Sequence, residues 1–382
     1  ICDKYINNSS YYPSDSKWQL SYQLSVEDQE GNQTHYNEQT MKTYFSGRDK
    51  TFTLYYTDKK KANKFIKTYK KAVIKKGYQI TGETKNFILQ PQTSFVVIDQ
   101  YTGDVQAICG GRGAKLGNRT LNRATGTLRQ PGSTFKVLST YLPALDTSGM
   151  TLATIQNDET YYYPSTKKEV QNWNGTHKGP STLREGIYNS MNVVTVKTFA
   201  QVTPKTGYDY LLNLGFTSLV SRMVTANNEV YSDIQLPTAL GGLTKGVSNL
   251  ELTNGFASVA NGGFYKSPSF YTKILDKDGN LLLEKKNVSR QVMKDSTAWL
   301  LTDAMEDVLT IGTGQAAHFS SPKMAIAGKT GTTTNDIDLW FVGYTPYYTA
   351  GIWGGYDLNE DQTDVTYHKI LWRDIMSAIH TK

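Results

Sequence analysis

Residues Arg129–Lys136 read RQPGSTFK, and the periodic apolar stretch VLSTYL follows at once. Pro131-Gly132 ahead of TFKVLSTYL has the form of a helix start, so the spacing predicts Ser133 in the first turn and Lys136 one turn later on the same face. The two side chains can then meet. A serine hydroxyl is a poor nucleophile until a base takes its proton, and a lysine can act as that base only as a neutral amine. From an ordinary value of about 10.4, keeping the amine neutral at pH 7 costs roughly 4 to 5 kcal/mol. The pattern therefore calls for burial and for a second cation nearby.

Taken alone the pattern is common. S-x-x-K occurs at Ser14/Lys17, Ser133/Lys136, Ser165/Lys168 and Ser320/Lys323, and only the second copy opens an apolar helix; the others lie in turn-like Ser/Pro/Asp/Lys stretches. Two further elements give it company. NSMNVV places Ser190 and Asn192 at the junction of two helical patterns, STLREGIYNS and NVVTVKTFAQ, where a hydroxyl can relay protons and a carboxamide can hold an amide. AGKTGTT follows the apolar run Met324–Ala327 and predicts a strand ending in Lys329-Thr330-Gly331-Thr332, which offers a cation, two hydroxyls and a glycine that admits a close backbone approach. Two look-alikes are set aside. Lys205-Thr206-Gly207 follows Pro204 without a preceding apolar strand and reads as a turn, and Gly328-Lys329-Thr330 ends like a P-loop but has Lys323 where the first glycine belongs.

The rest of the chain frames this triplet. With 382 residues, 38% apolar and 12% aromatic, it is long enough for a large domain plus a smaller one. There is no run of eighteen apolar residues and no leader, and a first residue of Ile1 suggests a fragment of something longer. Cys2 and Cys109 are too few for a disulfide framework, and the five histidines lie far apart, so no metal site and no cofactor is expected. The net charge of +7 is uneven: Lys59–Lys76 carries nine lysines, while Phe65, Ile66, Tyr69 and Val73 form one apolar helix face. That segment reads chiefly as a solvated helix face, secondarily as a contact for an anionic surface such as a membrane or wall polymer, and last as a nucleic-acid site. Residues 1–92, with WQLSYQLSVED, EGNQ and TFTLYYTD ahead of the lysine helix, read as a small α+β unit of short strands. Near Pro91 the texture changes to SFVVIDQYTGDVQAICGG, a hairpin about Tyr101–Asp104. Strands return in MAIAGKTGT, LWFVGYTP and YYTAGIWGGYD, and HKILWRDIMSAIHT closes as a helix. A sheet built from both ends of residues 93–382, with a helical insertion between, follows.

The ordered set S-x-x-K, S-x-N, K-T-G is far more specific than any one member. With it, VVIDQYTGDVQAICGGRG, LNRATGTLRQPGSTFK, GPSTLREGIYNSMNVV, ELTNGFASVANGG and AGKTGTTTNDIDLWFVGYTP resemble the transpeptidase domain of a class A penicillin-binding protein of Gram-positive type, and residues 1–92 resemble the linker region before it. The resemblance implies the α+β fold shared with serine β-lactamases, an antiparallel sheet flanked by helices plus a helical lobe. It implies Ser133 as acylated nucleophile, Lys136 as its base, Ser190 as proton shuttle and Lys329 as the second cation. Asn192 would bind the substrate amide, Thr330, Gly331 and Thr332 would meet its carboxylate, and the N–H groups of Ser133 and Thr332 would form an oxyanion hole. The implied partners are D-Ala-D-Ala stem peptides of peptidoglycan and β-lactams. The implied location is the outer face of the bacterial cytoplasmic membrane, with an anchor and a glycosyltransferase domain elsewhere in the parent chain. Pro143 is expected to kink or end the nucleophile helix after about three turns. Competing readings are a D,D-carboxypeptidase, a serine β-lactamase and a non-catalytic β-lactam receptor. Met191 stands where a class A β-lactamase resembles Ser-Asp-Asn, and Glu251-Leu-Thr-Asn254 resembles its glutamate loop with a spacing one residue short.

Overall fold

The computed structural model describes every residue except Leu116, Asn287, Ser321 and Lys382. After a short helix α1 (Cys2–Ile6), strand β1 (Lys17–Glu27) alternates buried Leu20, Tyr22, Leu24 and Val26 with more exposed neighbours, the period-two pattern of a sheet with one wet face. β1 turns at Asp28, whose carboxylate accepts from Glu30 N and Asn32 N, into β2 (Gln33–Asn37). Helix α2 (Glu38–Ser46) begins in a reciprocal cap between Asn37 and Thr40.

TFTLYYTD gives only a two-residue strand, β3 (Tyr55–Tyr56). β2 takes Gln23–Glu27 of that edge of β1; Leu54 still gives its carbonyl to Leu20 N at 3.0 Å, while the Phe52 and Leu54 side chains enter the core. β1 itself is eleven residues long rather than short. The lysine segment is helix α3 (Lys59–Val73), which buries Ala62, Ile66 and Tyr69 while Phe65 and Val73 pack at the edge of the same cluster. Strand β4 (Gln79–Gln90) runs along the free edge of β1.

A second, five-stranded antiparallel sheet holds β5 (Gln92–Ile98), β6 (Val105–Cys109), β7 (Ala327–Thr332), β8 (Asp338–Tyr344) and β9 (Thr349–Gly355) in the order β7-β8-β9-β5-β6. Distant parts of the chain thus meet at β9-β5, where Thr349 faces Ile98 and Gly355 faces Gln92. Both faces are covered, which is why LWFVGY is apolar without interruption. Trp340, Val342 and Tyr344 point into the helical lobe, whereas Leu339 and Phe341 point to the C-terminal helix.

The lobe contains α4 (Leu142–Asp146), α5 (Leu183–Tyr188), α6 (Asn192–Val202), α7 (Pro204–Asn213), α8 (Asn249–Ala260) and α9 (Asp295–Thr310), and α10 (Tyr367–His380) closes the other side. This is the α+β arrangement of an antiparallel sheet flanked by helices with a helical lobe. Lys205-Thr206-Gly207, read as a turn, is instead the first turn of α7: Thr203 accepts from Thr206 N and Pro204 sits at the first helical position, the usual start signals. Among the described residues no helix is long and apolar enough to cross a membrane.

Candidate active site

The segment that carries Ser133 and Lys136 winds unevenly. Gly132–Thr134 forms a 3-10 turn, Val137–Tyr141 a π turn, and α4 adds a last α turn before Asp146. The π turn lies directly ahead of Pro143, which has no N–H to give to a regular ladder, so the proline reshapes the helix and the chain then continues one more turn. The start of the helix is anchored from several sides. Arg129 pairs through its backbone with Val247, and its guanidinium donates to Tyr356 O at 2.8 Å and Asp357 O at 2.9 Å. Gln130 O accepts from Trp340 Nε1 at 2.9 Å, and its side chain clasps the backbone of Leu243.

Two glycines let this turn lie against the end of β7. A Cβ on Gly132, whose φ is +53°, would stand 2.7 Å from Thr332 O, and one on Gly331 would stand 2.6 Å from Pro131 O. Any side chain at either position would push apart the backbones of Ser133 and Thr332.

Lys136 points inward and is fully buried. Its Nζ is 2.7 Å from Ser190 O, 2.6 Å from Asn192 Oδ1 and 3.2 Å from Ser190 Oγ. Lys329, on β7 and also fully buried, places Nζ 2.9 Å from Ser190 Oγ and 3.1 Å from Thr330 O. Ser190 sits between α5 and α6 with φ +54°, a left-handed conformation that a serine adopts at a cost. The structure thus brings the buried Lys136, Ser190 and Lys329 together with the half-buried Asn192, with the Gly331–Thr332 backbone against the Ser133 turn. Thr330 Oγ1 is bonded to Thr313 Oγ1 at 2.7 Å. The meeting of Ser133 and Lys136 is not realised as a hydrogen bond, because Lys136 spends its three positions on Ser190 and Asn192.

Burial, and then the charge of Lys329, hold the Lys136 amine well below its ordinary range. Burial, and then Lys369 on α10, lower Lys329 to about 7. Lys136 Nζ thus has three oxygens around it, Ser190 O, Ser190 Oγ and Asn192 Oδ1, and Ser190 Oγ accepts from Lys329 Nζ as well.

Other residues of the site carry no pattern that sequence reasoning detected. Asn172 Oδ1 accepts from Asn192 N at 2.8 Å, and its Nδ2 donates to the buried Asp158 carboxylate and to Thr176 O. Gln171 O accepts from Asn192 Nδ2 at 2.7 Å, and the exposed Trp173 donates from Nε1 to Asn189 O. The segment QNWN is irregular and lies twenty residues before Asn192, and no spacing rule links such a loop to a motif. Glu251 is a helix cap: its carboxylate accepts from Ser248 N and Oγ and from Thr217 N and Oγ1, which leaves no oxygen free to activate a water. Among the described residues no group of three or more His, Cys, Asp or Glu could hold a metal ion.

The family model described as "Penicillin binding protein transpeptidase domain" matches residues 93–377. The chain belongs to the penicillin-binding protein transpeptidase family. Penicillin-binding protein 1A of Clostridium acetobutylicum is 33% identical over 307 residues, which cover 76% of this chain and 36% of that protein. Penicillin-binding protein 1F of Bacillus subtilis is 32% identical over 315 residues, covering 80% and 41%. The chain therefore spans well under half of these penicillin-binding relatives. PonA1 from Mycobacterium tuberculosis, solved in complex with penicillin V, shares the fold with a TM-score of 0.65 at 21% identity, covering 75% of this chain and 77% of that one.

Proposed function

We propose that residues 93–382 form a serine D,D-transpeptidase unit that cross-links peptidoglycan stem peptides and is acylated by β-lactams, with residues 1–92 as an accessory unit. The observation that carries the reading is one hydroxyl, Ser190 Oγ, held between two buried lysines. Burying two lysine amines a few ångströms apart costs free energy, and function accounts for that cost.

In this reading the Lys136 amine turns from Asn192 toward Ser133 and takes the hydroxyl proton as Ser133 Oγ attacks the carbonyl of the penultimate D-alanine. The N–H groups of Ser133 and Thr332 receive the oxyanion, each contributing about 3 to 4 kcal/mol. The proton passes from Lys136 through Ser190 to the amide nitrogen, the C–N bond breaks, and D-alanine leaves. An amine of a neighbouring stem then attacks the ester, restoring Ser133. Asn192 holds the substrate amide, and Lys329, Thr330, Gly331 and Thr332 receive its carboxylate. A β-lactam follows the same path, but its leaving nitrogen stays tethered and the ester persists. The acylating face belongs outside the cytoplasmic membrane, in a parent chain that carries the anchor and a glycosyltransferase domain. The capped Glu251 argues against the β-lactamase reading.

Intact-mass measurement after benzylpenicillin treatment tests the reading. One persistent adduct, absent in Ser133→Ala, is expected. An adduct that clears within seconds would replace it with a β-lactamase, and release of D-alanine from a stem peptide without capture by an added amine would replace it with a D,D-carboxypeptidase.

A further inference from the structure

Cys2 and Cys109, the chain's only cysteines, are 107 positions apart in sequence and adjacent in space. Helix α1 packs on strand β6, and both residues belong to one apolar cluster, Cys2 buried and Cys109 half-buried. Independent contacts hold the two segments together. Asn7 Oδ1 accepts from Gly113 N at 2.8 Å, the Arg112 guanidinium lies 3.5 Å from the centre of the Tyr12 ring, and Tyr12 Oη donates to Ile6 O. A buried residue touches about 6 to 12 others, so two positions chosen at random in a chain of this length meet only a few times in a hundred. The active site does not use the pair, because β6 and the lysine-bearing β7 are opposite edges of the sheet.

We propose that Cys2 and Cys109 form a redox modification site that closes as an intramolecular disulfide. One thiolate attacks a low-molecular-weight disulfide, releasing one thiol and leaving a mixed disulfide. The neighbouring thiolate then displaces the second thiol. Two S–H bonds give way to one S–S bond in the protein, and the external disulfide takes up the two electrons and two protons as two thiols. Cys109 is the more exposed of the two and is the thiol that an external disulfide reaches first. The closed loop encloses the whole accessory unit, and a cross-link over so long a loop restricts the unfolded chain strongly. The inference draws on the proposed extracytoplasmic location only for the presence of an oxidant.

The chain, reduced and then treated with oxidised glutathione, is denatured, alkylated, digested with trypsin and weighed. A peptide joining Ile1–Lys4 to Asn86–Arg112 is expected. So is a higher melting temperature in the oxidised than in the reduced form, a difference that Cys2→Ser and Cys109→Ser each abolish. Two alkylated cysteines after oxidation, stable glutathione adducts on either one, or disulfide-linked dimers would each overturn the proposal. None of these readouts depends on penicillin, so failure here leaves the acylation reading standing, and the reverse holds too.

Discussion

Lys136 and Lys329, from a helix and from a strand at the sheet edge, reach the same oxygen, Ser190 Oγ, at 3.2 and 2.9 Å. Removing that oxygen breaks the proton path and leaves the backbone intact. Ser190→Ala is therefore expected to slow acylation by benzylpenicillin by about two to four orders of magnitude. Rapid-quench mass measurement of the adduct reads it. An unchanged rate would remove Ser190 from the mechanism.

The acylation rate constant divided by the dissociation constant should trace a bell against pH. The rising limb is the loss of the proton from Lys136, whose pKa lies well below its ordinary value. The falling limb is the loss of charge from Lys329, near 7 in the unliganded chain. The two limbs belong to the pair rather than to single residues. A rate that climbs steadily to pH 9 would mean that the Lys329 charge is not needed.

The same buried lysine makes stability depend on pH. In the window between about 7, the folded value of Lys329, and 10.5, its ordinary one, the unfolded chain binds the extra proton, so stability rises with pH. Above about pH 10 the deeply buried tyrosines, raised in the folded state, reverse the trend. Lys329→Met should flatten the slope between pH 7 and 9 by up to about 1.4 kcal/mol per pH unit. Urea unfolding at the two ends measures it, and an unaltered slope would contradict the burial argument.

Gly331→Ala inserts a methyl 2.6 Å from Pro131 O and 2.8 Å from Thr134 Cγ2. The expected cost is about 1 to 3 kcal/mol of stability, together with a disproportionate loss of acylation, because the clash separates the Ser133 and Thr332 N–H groups. A variant as active as the parent would show that these two backbones need not stay in contact.

Asn172→Ala leaves Asn192 N without its partner and takes one donor from the Asp158 carboxylate, which keeps Lys178 N and His177 Nδ1. A loss of about 1 to 3 kcal/mol is expected from the group left unpaired. Thermal melting and acylation should both suffer, with Asn172→Asp failing to rescue because a second carboxylate would face Asp158.

Much of this could be read in the chain. WQLSYQLSVED, LWFVGYTP and YYTAGIWGGYD were legible as strands and hold β1, β8 and β9, because burial acts on each residue where it stands. The order S-x-x-K, S-x-N, K-T-G named the residues that assemble around Ser190. Three features escaped. The lysines' preference for Ser190 and Asn192 over Ser133 depends on how α6 is seated against the nucleophile helix, which is tertiary geometry. Asn172 lies in an irregular loop whose hydrogen bonds follow no period. TFTLYYTD keeps only Tyr55–Tyr56 as strand while Phe52 and Leu54 turn into the core cluster, a tertiary effect that local propensity does not register.

The sheet order has a consequence for synthesis. Ser133 leaves the ribosome long before Lys329 does, and β5 has no neighbour on its inner side until β9 has been made. A nascent chain stopped anywhere in between carries Ser133 without Lys329 or its strand wall. Fluorescent penicillin would therefore tag only chains whose distant parts have found each other. On the proposed function the label would count completed molecules, and the interval between full-length synthesis and labelling would be a direct clock for maturation.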